Sequence, residues 1–206
     1  MLEVALTGNR FTGKDYVVTR FRKLGIPVFD GDTVLKFILN HKFYFNDSLK
    51  KDLGKSPFIK GHINSDLIKD DREFNILIDQ VQVELFDAYE KYKNKQTYPY
   101  TIFMSSLLFE RGWNKKFDIV INTFAPNDDR AFRAKTNWRD SNGLGYTYQE
   151  FFSLTKTEFS QFKKNEMSEH VLHSYNGDGL LKESIVNIDH IIKQQLRQLY
   201  SYADRG

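Results

Sequence analysis

The sequence predicts an α/β fold in which a parallel β-sheet is flanked by helices. Short apolar runs that are typical of buried strands recur along the chain, beginning at residues 2–6 and clearest at 117–124. Segments with helical periodicity separate these runs, which is the pattern of strand, loop and helix that builds a parallel sheet. Residues 33–95 are charged and helical in pattern, which indicates a helical insertion within a single domain of 1–206.

Composition excludes several classes of protein. The 206 residues include no cysteine, which excludes disulfides and thiolate chemistry. The net charge is +3, too small a surplus to indicate a nucleic-acid partner. No run of about 18 apolar residues occurs and the first residues lack a basic segment, so we expect a cytoplasmic protein without a membrane anchor. The histidines have no metal-ligand spacing and are interpreted as structural: His41, His62, His170, His173 and His190.

The first strand leads directly into a glycine-rich loop. Between this strand and an amphipathic segment stand Gly8, four other residues, Gly13 and Lys14, an arrangement that holds the phosphates of a nucleotide. Backbone N–H groups and the start of the helix would bind the phosphates, and Lys14 would add a mobile charge. The alternative is a turn without a chemical role. We predict that the nucleotide is bound by Gly8, Asn9, Arg10, Phe11, Thr12, Gly13, Lys14, Asp15 and Tyr16.

The residue after Lys14 departs from the usual form of this loop. A Ser or Thr that binds Mg²⁺ usually stands there, whereas this chain has Asp15. Because carboxylates also bind magnesium, we expect Mg²⁺ as a cofactor and Asp15 as one of its ligands.

Two aspartates follow the second predicted strand. Residues 26–29 form a short apolar run, and Asp30 and Asp32 come directly after it. In open α/β sheets ligands bind at the carboxyl ends of the strands, so we expect both carboxylates beside the phosphate loop. A carboxylate there can orient an acceptor hydroxyl, take up its proton or help to hold Mg²⁺. The alternative is a turn and a helix N-cap. We favour a functional role, with Asp32 ahead of Asp30.

These segments resemble the dephospho-coenzyme A kinase family, and the resemblance continues in the family's order through most of the chain. It rests on residues 4–14, 24–32, 61–64 and 107–110, on Arg139-Asp140 and on Asn176-Gly177. The resemblance implies a P-loop kinase-like sheet with a helical acceptor-binding insertion and a lid. It also implies ATP as the phosphoryl donor, the ribose 3′-hydroxyl of dephospho-coenzyme A as the acceptor, and Asp32 as the catalytic base.

The acceptor-side motifs depart from the family pattern. Ser65 stands where the family usually has Arg, Asp79-Gln80 replaces a His-Pro pair, and Ser106 precedes Leu-Leu-Phe-Glu where Pro is usual. The acceptor therefore stays open at this stage. A phage-type deoxynucleoside monophosphate kinase, whose acceptor is a phosphate, and a nucleotide-binding protein without turnover are the alternatives.

A basic segment after the strand at 117–124 predicts a lid. It carries Arg130, Arg133, Lys135 and Arg139, and it runs into a loop at 141–145. In P-loop kinases an arginine of such a lid stabilises the transferring phosphoryl group. We assign that role to Arg139, within a lid region of 139–165, and keep Lys163 and Lys164 as second candidates. The alternative is a solvated helix face.

The remaining elements complete the predicted site. Residues 98–104 are predicted as a strand and Leu107–Gly112 as helical, with Glu110 either an acceptor-side contact or a solvated helix residue. A last strand at 170–172 is followed by a turn in which Asn176 and Gly177 are suited to line an adenine pocket. Residues 180–200 are predicted as the closing helix.

Overall fold

A computed structural model describes residues 2–41, 47, 50–51, 54, 58–59, 62–63, 71–136, 145–155 and 158–203. The chain forms two compact units. The first consists of Met1–Val28 with Thr97–Gly206, and the second of Phe29–Gln96. The predicted insertion, 33–95, falls within the second unit.

A five-stranded sheet is the framework of the fold, and the predicted parallel α/β arrangement is confirmed. The strand order is β2-β5-β1-β6-β7, and β1 pairs in parallel with both β5 and β6, as β6 does with β7. The loop that follows β1 therefore leaves the sheet at its centre. The strands of this sheet are β1 (Leu2–Gly8), β2 (Val28–Asp30), β5 (Tyr100–Met104), β6 (Ile119–Phe124) and β7 (His170–His173).

The first and last helices of the first unit each bury one apolar face. The first and last helices pack together with the sheet through Val17, Phe21, Ile185 and Ile192, all essentially inaccessible to solvent. This apolar spacing is that of an amphipathic helix with one face in the core. The helices are α1 (Lys14–Lys23), α4 (Asn127–Thr136), α5 (Tyr148–Thr155), α6 (Gln161–Glu166) and α7 (Asp178–Ala203), with a 3₁₀ turn at Trp113–Lys116.

The described part of the second unit is mainly a pair of helices, α2 (Gly31–His41) and α3 (Asp71–Lys93), that pack against each other. A short antiparallel pair, β3 (Phe58–Ile59) and β4 (His62–Ile63), lies between them in the sequence. Most apolar residues of these two helices are buried or partly buried, but Val83 is 65% exposed. Val81 and Leu85 occupy the buried face of α3. Val83 is two positions from each of them, and residues two apart point to different sides of a helix.

The segment Leu107–Gly112 is not the helix that the sequence predicts. Backbone hydrogen bonds from Arg111 to Leu107 and from Gly112 to Phe109 close successive turns. Gly112 then adopts a positive φ of 65°, a conformation that ends helices readily. The 3₁₀ turn begins only at Trp113.

In the part of the chain that the structure describes, no helix combines the length and apolarity needed to cross a membrane.

Candidate active site

The loop between β1 and α1 contains two residues in the left-handed backbone region. Gly13 has a φ of 88°, and Phe11 has a positive φ of 64°. A Cβ atom at Gly8 would lie 2.7 Å from Thr12 Oγ1 and 2.9 Å from the carbonyl oxygen of Thr123. Gly8 therefore lets the loop approach β6 closely, and Gly13 permits the reversal into the helix.

Three consecutive carbonyl groups of this loop point towards α4 and the end of β7. Arg130 Nε donates to the carbonyl oxygen of Arg10 at 2.8 Å. Arg133 Nη1 donates to the carbonyl oxygens of Thr12 at 2.8 Å and Phe11 at 3.3 Å, and the Ser174 hydroxyl also donates to Thr12. In a trans peptide the N–H points opposite to the C=O. These bonds therefore turn the N–H groups of Phe11 and Gly13 to the other side of the loop, whereas the N–H of Thr12 donates to the carbonyl oxygen of Asn9 at 3.2 Å.

The start of α1 lies on the same loop. Lys14 is its first residue and is partly exposed, and Asp15 is exposed in its first turn. The first N–H groups of a helix have no acceptor within the helix and carry partial positive charge. Together with the loop N–H groups they form an arrangement that can bind an anion, as the Gly-Lys motif predicts.

Glu158, which is distant in the sequence, also binds the backbone of this loop. Its Oε1 accepts the backbone N–H of Arg10 at 2.7 Å, and its Oε2 pairs with Arg130 Nη2 at 2.8 Å. The side chain of Arg130 is only 4% exposed and that of Glu158 is 11% exposed. Burial lowers the pKa of Arg130, and the charge of Glu158 offsets part of this effect. The guanidinium is further held by Asn127 Oδ1 at 3.0 Å.

A second buried ion pair lies next to the first. Lys164 is completely buried and its Nζ lies 2.8 Å from Glu110 Oε1, which also accepts the backbone N–H of Phe159 at 3.0 Å. The carbonyl oxygen of Phe159 in turn accepts a hydrogen bond from Asn9 Nδ2 at 2.9 Å. The interpretation of Glu110 as a solvated helix residue is therefore wrong. Lys164, a second candidate for the lid cation, is instead a buried partner of Glu110.

A cavity of about 530 Å³ lies beside the loop in the first unit. It is lined by Asn9 and by the rings of Phe124, Phe151, Phe152, Phe159 and Phe162. Asn9 is 3% exposed, and its Oδ1 is buried without a hydrogen-bond partner. Aromatic walls with a polar group suit a planar heteroaromatic ring.

The remaining predicted nucleotide contacts lie around the start of α7; they are Tyr16, Asn176 and Gly177. The Tyr16 hydroxyl donates to Asp178, and Arg20 donates to the same hydroxyl. Lys182, Tyr16 and Arg20 lower the pKa of Asp178 to about 2 by stabilising its carboxylate. Asn176 and Gly177 are exposed immediately before this helix, so their contact with adenine stays a prediction.

The two aspartates after β2 belong to the second unit. Asp30 Oδ1 accepts the backbone N–H of Thr33 at 2.9 Å, so Asp30 caps α2. Asp32 lies in the first turn of the same helix and is partly exposed. The capping alternative therefore applies to Asp30, and the position of Asp32 beside the phosphate loop stays a prediction.

Two predictions remain, the lid arginine and the metal site. Arg139 lies outside the described residues. Of the described residues, no group of three or more His, Cys, Asp or Glu could hold a metal ion. An exposed Asp15 still fits magnesium, because this ion is often bound by one or two carboxylates together with substrate phosphates and water.

Comparison with known proteins decides the family. The family model for dephospho-CoA kinase, CoaE, matches residues 2–177. The chain belongs to the dephospho-CoA kinase family. Membership of this family makes it an ATP-dependent phosphotransferase that acts on a small nucleotide-like substrate.

Three individual proteins match nearly the whole chain. The dephospho-CoA kinase of Protochlamydia amoebophila is 26% identical over 209 residues, covering 96% of this chain and 94% of that protein. The crystal structure of TT1252 from Thermus thermophilus has a TM-score of 0.74 at 19% identity, with 93% of this chain and 97% of that chain covered. A dephospho-CoA kinase structure from Campylobacter jejuni has a TM-score of 0.52 at 15% identity, covering 92% and 96%. The two structures show that the fold is shared.

Sequence reasoning missed the side chains that hold this kinase's phosphate loop. Arg130 and Arg133 are predicted only as part of a basic helix face, and Glu158 is not singled out. The spacing of the two arginines, three residues apart, places them on one side of α4. That spacing is the only local signal, since Glu158 lies 28 residues beyond Arg130.

We predict that Lys164→Met destabilises the protein strongly. The change leaves the Glu110 carboxylate buried without its charged partner, which costs ~3–5 kcal/mol. Urea unfolding would measure the loss. Lys182→Met is the control, because Lys182 pairs with Asp178 at the surface, where an ion pair contributes less than about 1 kcal/mol. Equal losses in the two variants would contradict a structural role for the buried pair.

Proposed function

We propose that this kinase transfers the γ-phosphoryl group of ATP to the ribose 3′-hydroxyl of dephospho-CoA. The observation that carries the proposal is the loop after β1, whose carbonyl groups are held outward by Arg130, Arg133 and Ser174. This conformation suits a polyphosphate, and it occurs in a chain that matches the dephospho-CoA kinase family over residues 2–177.

The loop and α1 would hold the donor. Backbone N–H groups bind the donor phosphates, and Lys14 neutralises charge that moves towards the bridging oxygen. Mg²⁺, when bound near Asp15, would supply further charge neutralisation at the phosphates. The protein thereby orients the phosphoryl group for an in-line transfer, which is mainly a matter of positioning and electrostatics.

Asp32 would act on the acceptor. With Asp30 occupied as the cap of α2, Asp32 is the carboxylate of this pair better suited to accept the proton of the attacking hydroxyl. Arg139, from the lid, would stabilise the charge on the phosphoryl group during transfer. Glu110 is a further candidate for the acceptor side, because its Oε2 is buried without a partner.

The acceptor can be identified by measuring ADP release with a panel of candidates. We expect turnover with dephospho-CoA and none with deoxynucleoside monophosphates. Turnover only with the monophosphates would instead indicate a phosphate acceptor, and ATP binding without ADP release in any mixture would indicate a protein without turnover.

We predict that Lys14→Ala abolishes ADP release while the protein stays folded, because the variant lacks the side-chain charge on the donor phosphates. Circular dichroism would verify the fold. Lys23→Ala is the matched control, since Lys23 is exposed at the other end of α1 and should leave turnover unchanged. Unaltered transfer by Lys14→Ala would remove Lys14 from the mechanism.

We predict that Asp32→Asn lowers kcat by roughly 10²–10⁴, the contribution of a general base. The change keeps the shape of the side chain but removes its ability to take up a proton. Asp87→Asn, at an exposed position of α3 in the same unit, serves as the control. A loss of less than tenfold for Asp32→Asn would argue for a phosphate acceptor, which needs no strong base.

A further inference from the structure

One residue of the phosphate loop has both of its backbone polar groups bound by a single ion pair. The N–H of Arg10 donates to Glu158 Oε1 at 2.7 Å, and its C=O accepts from Arg130 Nε at 2.8 Å. Glu158 and Arg130 are joined to each other at 2.8 Å. The three groups form a closed ring of hydrogen bonds, which we call the Arg10 clamp.

The clamp is anchored on both sides. Arg130 also donates to Asn127 at the start of α4 and lies 5.3 Å from the centre of the Phe151 ring. Glu158 is followed by Phe159, whose carbonyl oxygen accepts from Asn9 of the loop and whose N–H donates to Glu110. Rotation of the Arg10 peptide groups would therefore break charge-assisted hydrogen bonds to two side chains that are only 4% (Arg130) and 11% (Glu158) exposed, and leaving such side chains unpaired is costly.

The clamp determines which way the following N–H groups point. The Arg10 carbonyl and the Phe11 N–H belong to the same trans peptide and have opposite directions. Phe11 then adopts a positive φ, a conformation that a non-glycine residue keeps only where its surroundings enforce it. Phe11 is enforced in this conformation because the residues on both sides of it are held. Arg130 binds the carbonyl group of Arg10, and Arg133 binds that of Thr12.

We propose that Arg130 and Glu158 are positioning residues for the donor nucleotide. They act through the backbone of Arg10, by keeping the phosphate loop in its anion-binding conformation before the nucleotide arrives. The inference rests on the proposed binding of ATP by this loop, but it does not depend on the identity of the acceptor.

The proposal predicts a selective loss of donor binding. Arg130→Met and Glu158→Ala should each raise the Kd for ATP at least about tenfold, the effect of losing a charge-assisted hydrogen bond. The acceptor KM at saturating ATP should stay within about twofold. The double variant should bind ATP no more weakly than the poorer single variant, because both side chains hold the same residue. Titration calorimetry with ATP and magnesium, without acceptor, gives the Kd values.

Glu169→Ala is the matched control. The Glu169 carboxylate also accepts a backbone N–H, that of Val120 at 2.6 Å, but at the opposite end of β6 from the loop. A general loss of stability would affect ATP binding in this variant too, whereas the proposal expects its Kd within about twofold of the unmodified protein.

Folded variants that bind ATP as tightly as the unmodified chain would overturn the clamp's role and leave the proposed function intact. An unmodified chain that binds no ATP would overturn both. If Arg130→Met or Glu158→Ala fails to fold, Arg130→Lys and Glu158→Gln replace them, since each keeps one hydrogen-bonding group. These should weaken ATP binding by a smaller factor, about threefold or more, and unchanged binding would again contradict the proposal.

Discussion

The orientation of three peptide groups in the loop after β1 is the constraint on which the rest of the site depends. Their carbonyl oxygens, at Arg10, Phe11 and Thr12, are held by side chains of Arg130, Arg133 and Ser174. Because each peptide is planar and trans, an outward carbonyl directs the N–H of the next residue to the inner side. The N–H groups of Phe11 and Gly13 are directed in this way, and that of Thr12 donates to the Asn9 carbonyl oxygen. A phosphate-binding surface thus follows from contacts made behind the loop, as well as from its glycines.

These contacts draw on elements that are distant in sequence. The loop leaves the centre of the sheet, and the strand beside β1, β6, leads into α4, which carries both arginines. Ser174 follows β7, the next strand along. A parallel sheet brings the carboxyl ends of its strands to one edge, so the topology itself assembles the loop and its supports. The two buried ion pairs then fasten residues 158–164 to the same edge.

Sequence patterns were informative wherever the signal is local. The spacing of Gly8, Gly13 and Lys14 predicts the loop, and the apolar run at 117–124 predicts β6, which begins two residues later. Partners joined across long separations could not be predicted in this way. A basic helix face looks the same whether it meets solvent or a backbone carbonyl, and nothing near Arg130 indicates Glu158. Glu110 and Lys164, 54 residues apart, were missed as a pair for the same reason.

Crystal structures of the protein without nucleotide and with ADP would test most directly whether the loop is set before the nucleotide binds. We expect the hydrogen bonds from Arg130 Nε to the Arg10 carbonyl and from Arg133 Nη1 to the Thr12 carbonyl, both 2.8 Å, in the two crystals alike. A nucleotide-free crystal in which these carbonyls have turned away from the arginines, and return only with ADP, would contradict a preset loop.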